Sequence, residues 1–201
     1  MRKEENSKVQ ALYRAVATLI GENADLIALK VSDLTEKAGI GKGTAYEYFS
    51  TKEDIIASAI MFFTRSIVKK VREEIAQRNS FQEKLEYVFS YVDQGQLEKS
   101  CFLKYLHISM GQDKIAQLLQ ERMCNEPEEE TPVHVIWELV QCGKEEGVLS
   151  SQYPDSYLVS IVASKIVVYL LYMGNVDKIN DMEQGEFKKL LFQGLLRELG
   201  C

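Results

Sequence analysis

The sequence predicts an all-α protein, with a short three-helix module at residues 1–52 and a larger helical domain at 53–201. Three observations predict it. Apolar residues recur at i, i+3, i+4 and i+7 along most of the chain, which is the period of a helix with one buried face. Only 3 prolines interrupt 201 residues. No segment shows the strict apolar/polar alternation of a half-buried strand.

The first helix is expected from about Ser7 to Ile20, because Val9, Leu12, Tyr13, Val16, Leu19 and Ile20 fall on one face. Gly21-Glu22-Asn23 ends it. A second helix follows a short connector, with Ser32 as its cap and Leu34, Thr35 and Ala38 on its inner face, and Gly39 stops it. A third begins after Gly39-Ile40-Gly41 and holds Lys42 to Phe49. Two short helices joined by a tight glycine-containing turn make a helix-turn-helix.

Thr51 then caps a fourth helix, with Glu53 and Asp54 favoured by the dipole in its first turn. Its stripe of Ile55, Ile56, Ala59, Ile60, Phe63, Ile67 and Val71 carries it to about Gln77. Further helices are expected near 81–94, 100–110, 113–124, 132–147, 155–174 and 183–199. Their starts are marked by Ser80, Thr131-Pro132 and Pro154-Asp155, and their ends by Gly95, Gly111, Gly147 and Gly174.

Composition excludes several classes. At 46% hydrophobic and 27% charged residues the chain has the balance of a soluble globular protein. The longest uncharged apolar run, Ile166 to Val176, is shorter than the roughly 20 residues of a spanning helix, and the charged N-terminus is unlike a secretory signal. A cytoplasmic protein with no membrane partner is expected. Cys101, Cys124, Cys142 and Cys201 share no metal-ligand spacing, and His107 and His134 have no partners at metal or triad spacing. With no nucleophile-base pair and no phosphate-binding glycine loop, no catalytic residue, metal or cofactor is assigned, and the chain is not read as an enzyme.

The net charge of −6 argues against nucleic acid until the chain is divided. Residues 1–52 carry 8 Lys and Arg against 7 Asp and Glu, a balance of +1, while residues 53–201 carry 16 against 23, a balance of −7. The acidity belongs to the larger part. A nearly neutral module binds DNA when its cations share one face, because contact charge outweighs total charge.

The stretch Val31-Ser32-Asp33-Leu34-Thr35-Glu36-Lys37-Ala38-Gly39-Ile40-Gly41-Lys42-Gly43-Thr44-Ala45-Tyr46-Glu47-Tyr48-Phe49-Ser50-Thr51-Lys52-Glu53 resembles the DNA-binding domain of the tetracycline-repressor (TetR) family. The resemblance rests on Ala-Gly-x-x-Lys-Gly-Thr-x-Tyr-x-Tyr-Phe followed by x-x-Lys-Glu and covers about residues 7–60. It implies that Lys42 to Tyr48 enter the major groove of a near-palindromic double-stranded operator. Gly43 would let the backbone approach closely, and Thr44, Tyr46 and Tyr48 would donate hydroxyl hydrogen bonds to phosphates. Lys52 matches the family's phosphate-contacting lysine. Lys42 and Glu47 are the candidates for base readout, toward guanine and cytosine respectively. Two positions depart from the pattern: Gly41 where a capping serine is common, and Lys30 where a threonine or serine is frequent.

Beyond the motif, the resemblance implies a C-terminal effector-binding and dimerisation domain. The helix near 155–174 is apolar around most of its circumference, and such a helix must be covered on all sides. With the helix near 183–199 it would form a four-helix homodimer interface, for which Leu158, Ile161, Val162, Leu170, Leu191 and Leu195 are the candidates. Phe63, Phe89, Tyr105, Met110, Trp137 and Tyr169 sit on helices that in the family surround a ligand cavity. The expected function is a transcriptional regulator, a repressor released from its operator by a small apolar effector. The alternative is a DNA-bound factor of the same fold that senses a protein partner and has no small ligand.

Overall fold

The computed structural model describes residues 6–93, 97–109, 111–175 and 181–200. Among these are ten α-helices, a single 3-10 turn at Glu128–Glu130 and no strand. The helices are α1 (Ser7–Gly21), α2 (Val31–Ala38), α3 (Lys42–Tyr48), α4 (Lys52–Ile75), α5 (Phe81–Asp93), α6 (Leu97–Ser109), α7 (Lys114–Cys124), α8 (Pro132–Glu145), α9 (Asp155–Met173) and α10 (Gln184–Leu199). Packing divides the chain into two compact units, residues 1–67 with 96–127, and residues 68–95 with 128–201.

In the first unit α1 packs on α2, α3 and α6, and α6 packs on α7. The expected apolar face of α1 is the buried one: Val9, Leu12 and Val16 are fully covered. Ile55, Ile56, Ala59 and Ile60 of α4 share that core with Leu34, Ala45, Phe49, Cys101 and Leu119. Packing thus groups α6 and α7 with the motif.

Three helix starts show how local chemistry sets the boundaries. Asn6 caps α1 by accepting the Lys8 amide at 2.9 Å. The second helix begins at Val31, one residue before the serine expected to cap it, with Lys30 in the N-cap position. Lysine has no oxygen to offer there. Instead the Asp33 carboxylate reaches back to the Lys30 amide at 2.7 Å, so one orphan donor is satisfied from inside the helix. At α7, Asp113 accepts from both Ile115 and Ala116 at 2.9 Å.

In the second unit α5 packs on α8 and α9, α8 on α9, and α9 on α10. Arg72, near the end of α4, forks onto Glu138 of α8 and donates to the Glu129 carbonyl at 2.8 Å. A carboxylate hub joins α5, α9 and α10: Asp93 accepts from Tyr169, Gln184 and Lys188. Burial first, then the hydrogen bond to Asp93, hold the Tyr169 phenol well above its ordinary range. Between α5 and α8, Gly143 stands where a Cβ would lie 2.8 Å from Leu149 and 3.1 Å from Phe81.

The 19-residue α9 is long and apolar enough, at a mean hydropathy of 1.7, to cross a membrane by length and composition. Counting uncharged residues missed this, because Lys165 and three serines interrupt the run without lowering its average much. Lys165 is held 3.0 Å from Glu198 of α10, as in a helix packed on protein.

Candidate nucleic-acid interface

The turn between α2 and α3 is built by Gly39, which takes the left-handed conformation at φ 68° as the C-cap of α2. Its amide and that of Ile40 close the helix onto Glu36 and Thr35. The third helix is only seven residues long, too short to persist alone. Two side chains anchor it. Ala45 is fully buried and Phe49, its C-cap, is 2% exposed and meets the Tyr13 ring edge-on at 6.0 Å.

With Ala45 and Phe49 turned inward, the opposite face is presented outward. Lys42, Gly43, Tyr46 and Glu47 are exposed, and Thr44 and Tyr48 are half-buried. Tyr46 is 55% exposed, a large apolar ring left in water by the fold. A Cβ built on Gly43 would meet nothing within 4 Å. No internal neighbour explains a glycine there, although it lowers helix propensity.

Two of the family-matched residues are engaged inside the protein. The Tyr48 hydroxyl accepts from the Asn6 amide at 2.8 Å, which ties α3 to the cap of α1. A phenol that accepts still has a proton to donate. The Lys52 ammonium donates to the Ile27 carbonyl at 2.6 Å and lies 3.6 Å from Glu53, and its side chain is 15% exposed. It therefore fastens the α1–α2 connector to the start of α4. Glu53 is held below the ordinary carboxylate range, first by a backbone hydrogen bond in its own residue and further by Lys52 and Lys114, against partial burial. The connector is shaped by Asp25, whose carboxylate accepts the Ile27 amide at 3.0 Å; Leu26 is buried and Ile27 is 67% exposed. Neither Asn6 nor Ile27 was singled out from the sequence, because one acts through a cap and the other through its carbonyl.

The five aromatic side chains expected around a ligand are spread over both units. Phe63, 7% exposed, packs edge-on against Phe62 at 5.3 Å, and Tyr105 stacks on Phe102 at 6.1 Å, both in the first unit. Burial first, then Cys124, raise the Tyr105 phenol above its ordinary range. In the second unit Phe89 and Tyr169 are buried against each other at 5.0 Å. Trp137 is 42% exposed and stacks on His134. Met110 lies outside the described residues. The second unit also holds an open, largely apolar cavity of about 490 Å³ at the end of α9 and start of α10, lined by Val168, Leu171, Tyr172, Met182 and Phe187 among others. Tyr169 stacks on two of these, Tyr172 and Phe187.

Of the six candidate interface residues, Leu158, Val162, Leu170 and Leu195 are covered within the chain, while Ile161 and Leu191 are half-buried. The apolar side chains that α9 and α10 leave in water are Tyr157, Val168, Leu171 and Leu190, between 42% and 63% exposed. On a helix apolar all round, periodicity does not say which face the chain itself covers.

An anchored seven-residue helix with a polar outer face, set after a tight glycine turn, defines the class: an all-helical helix-turn-helix protein. Residues 25–59 match the bacterial regulatory proteins of the tetR family. Over 88 residues it is 31% identical to the fatty acid metabolism regulator protein of Bacillus subtilis (strain 168). That match covers 44% of this chain and 45% of the relative, so the chain aligns with less than half of the relative's length. The fold is similar to that of the transcriptional regulator FadR from Bacillus subtilis in complex with stearoyl-CoA, with a TM-score of 0.72, 18% identity and 93% of this chain against 97% of that one. It is equally similar to the fatty acid degradation regulator FadR from Bacillus halodurans, with a TM-score of 0.71, 19% identity and 96% of each chain.

Proposed function

We propose that the chain is a transcriptional regulator that binds a near-palindromic operator as a homodimer and is released from it by a small apolar effector. The observation that carries the reading is α3: held from behind by Ala45 and Phe49, it offers Lys42, Tyr46 and Glu47 to a groove and Gly43 to a close backbone approach. Lys42 and Glu47 read base edges, and Thr44, Tyr46 and Tyr48 hold phosphates. Lys52 contributes by fixing the connector and by its charge at the positive end of α4.

The second copy covers the outward stripe of Tyr157, Val168, Leu171 and Leu190, since an uncovered apolar face of this kind marks an association site. The apolar part of the effector is the acyl chain of a fatty acyl thioester of the kind named with the Bacillus subtilis FadR structure. The same relative weighs against the protein-partner alternative. The protein acts in the cytoplasm, where its operator is. Released binding requires that the effector prefer the conformation in which the two reading heads are wrongly spaced.

Selection from a random duplex library, followed by anisotropy with and without stearoyl-CoA, tests this. A two-fold-symmetric site that is bound tightly and released by stearoyl-CoA supports it. No enriched site, or release by no acyl thioester of any chain length, defeats the DNA-binding part or the effector part respectively.

A further inference from the structure

Behind the recognition helix, one carboxylate faces two ways. Asp54 stands in the first turn of α4. Its Oδ2 accepts the backbone amide of Ser50 at 3.1 Å, and its own amide donates to the Thr51 hydroxyl at 3.1 Å. Ser50 is two residues past the end of α3, so this carboxylate fixes the bend by which the chain passes from the recognition helix into α4. The other oxygen, Oδ1, is taken by the Arg122 guanidinium of α7. Arg122 also donates to the Ser58 hydroxyl at 2.9 Å, one turn further along α4. Asp54 and Arg122 are 21% and 27% exposed at their side chains, so the pair is partly shielded from water.

A second ion pair joins the same two parts of the chain without touching the bend. Arg65 of α4 forks onto Glu126, just past the end of α7, and the Glu126 side chain is only 8% exposed. Among the described residues the first unit thus contains two guanidinium–carboxylate clasps between α4 and the end of α7, and the one through Asp54 continues to the recognition helix.

We infer that Arg122 is a positioning residue for DNA recognition: by holding Asp54 it sets the angle at which α3 stands to α4, without touching DNA. The inference rests on the DNA-binding reading and names a residue that sets its specificity. A planar guanidinium suits the task, because its fork fixes direction as well as distance, whereas an ammonium supplies charge alone. A helix whose bend is loosened still carries its cations to the phosphates, but it no longer holds base-contacting side chains in register. Specific affinity falls and non-specific affinity stays.

The experiment uses the full-length protein, the duplex enriched from the random library, and a scrambled duplex of equal length, with anisotropy at several salt concentrations. Arg122→Gln is expected to weaken the enriched duplex by about tenfold, the scale of one charge-assisted fork with partial solvent screening. Its affinity for the scrambled duplex and its salt slope stay as in the wild type. The double variant Asp54→Asn/Arg122→Gln binds no more weakly than Asp54→Asn alone, as expected of residues acting through one another. Arg65→Gln, which opens the other clasp, keeps the ratio of the two affinities. Where Arg122→Gln does not fold, Arg122→Lys, which keeps the charge and loses the fork, takes its place. An unchanged ratio in the Arg122 variant overturns the inference. So does an equal change in Arg65→Gln, or a loss on both duplexes with a salt slope shallower by about one, which is the mark of a phosphate contact. Hydrogen exchange at the Ser50 amide needs no DNA and keeps the two readings separable. If the wild type enriches no duplex, faster Ser50 exchange in Arg122→Gln still supports the clasp, and unchanged exchange overturns it.

Discussion

Gly43→Ala separates stability from function at a single methyl group. Gly43 is the second residue of α3, and a Cβ there meets nothing within 4 Å inside the protein. The backbone is not in the left-handed region, so alanine fits without strain. Replacing glycine by alanine at such a site stabilises by about 0.4–1 kcal/mol, chiefly by restricting the unfolded chain. For a chain of about 200 residues that raises Tm by roughly 1–4 °C. If the glycine serves close approach to DNA, the same methyl group must be pushed into a base edge or phosphate. The affinity for the enriched duplex then falls by about tenfold or more, the scale of about 1.4 kcal/mol of overpacking. Calorimetry and anisotropy on one preparation measure both. An alanine variant that melts higher and binds as tightly as the wild type refutes the close-approach argument. One that melts lower refutes the reading of open space.

Leu171→Asp and Leu190→Asp, at the exposed stripe, are expected to shift sedimentation from dimer to monomer with Tm of the monomer little changed, whereas Leu170→Asp or Leu195→Asp unfolds the chain because those side chains are 5% and 0% exposed. Gly143→Ala places a Cβ 2.8 Å from Leu149, and overpacking of this kind costs about 1–3 kcal/mol in chemical denaturation. The Asp155 carboxyl is held below its ordinary 3.8, first by Lys144 and then by Gln141. Its folded pKa is depressed, so its contribution is present above about pH 4 and disappears as pH falls through the folded value. Accordingly Asp155→Asn lowers Tm at pH 7, and the difference from the wild type shrinks as pH falls below the ordinary carboxylate range.

Much of the first unit was legible because its signals are local. Gly39 announces a left-handed cap, Ala38-Gly39 and Lys42-Gly43-Thr44 fall in a dense pattern, and the inward positions Ala45 and Phe49 follow from the helical period. The N-cap of α2 was misplaced by two residues, Ser32 for Lys30, because Asp33 satisfies the orphan amide, and a reach-back from the third helical position is visible only in three dimensions. Lys52 matched a pattern, but its bond to the Ile27 carbonyl depends on how a connector folds 25 residues earlier. The grouping of α6 and α7 with the motif could not be read either, since it depends on long-range packing of α1 on α6. In the second unit α9 defeats periodicity altogether. Its apolar residues occupy every face, so the sequence marks the helix as covered without saying which side the chain covers and which it leaves for another molecule.

The central claim is that α3 reads DNA from a two-fold dimer, and the salt dependence of binding to the enriched duplex tests it most directly. Two to four cationic phosphate contacts in each of two subunits predict a slope of log K against log salt of roughly −4 to −7, on a site whose half-sites lie about one helical turn or a multiple apart. In the same titration Lys42→Ala is expected to change the preferred bases. A slope near zero, or enrichment of the same sequence by Lys42→Ala and by a Tyr46→Ala, Glu47→Ala double variant, would contradict the account.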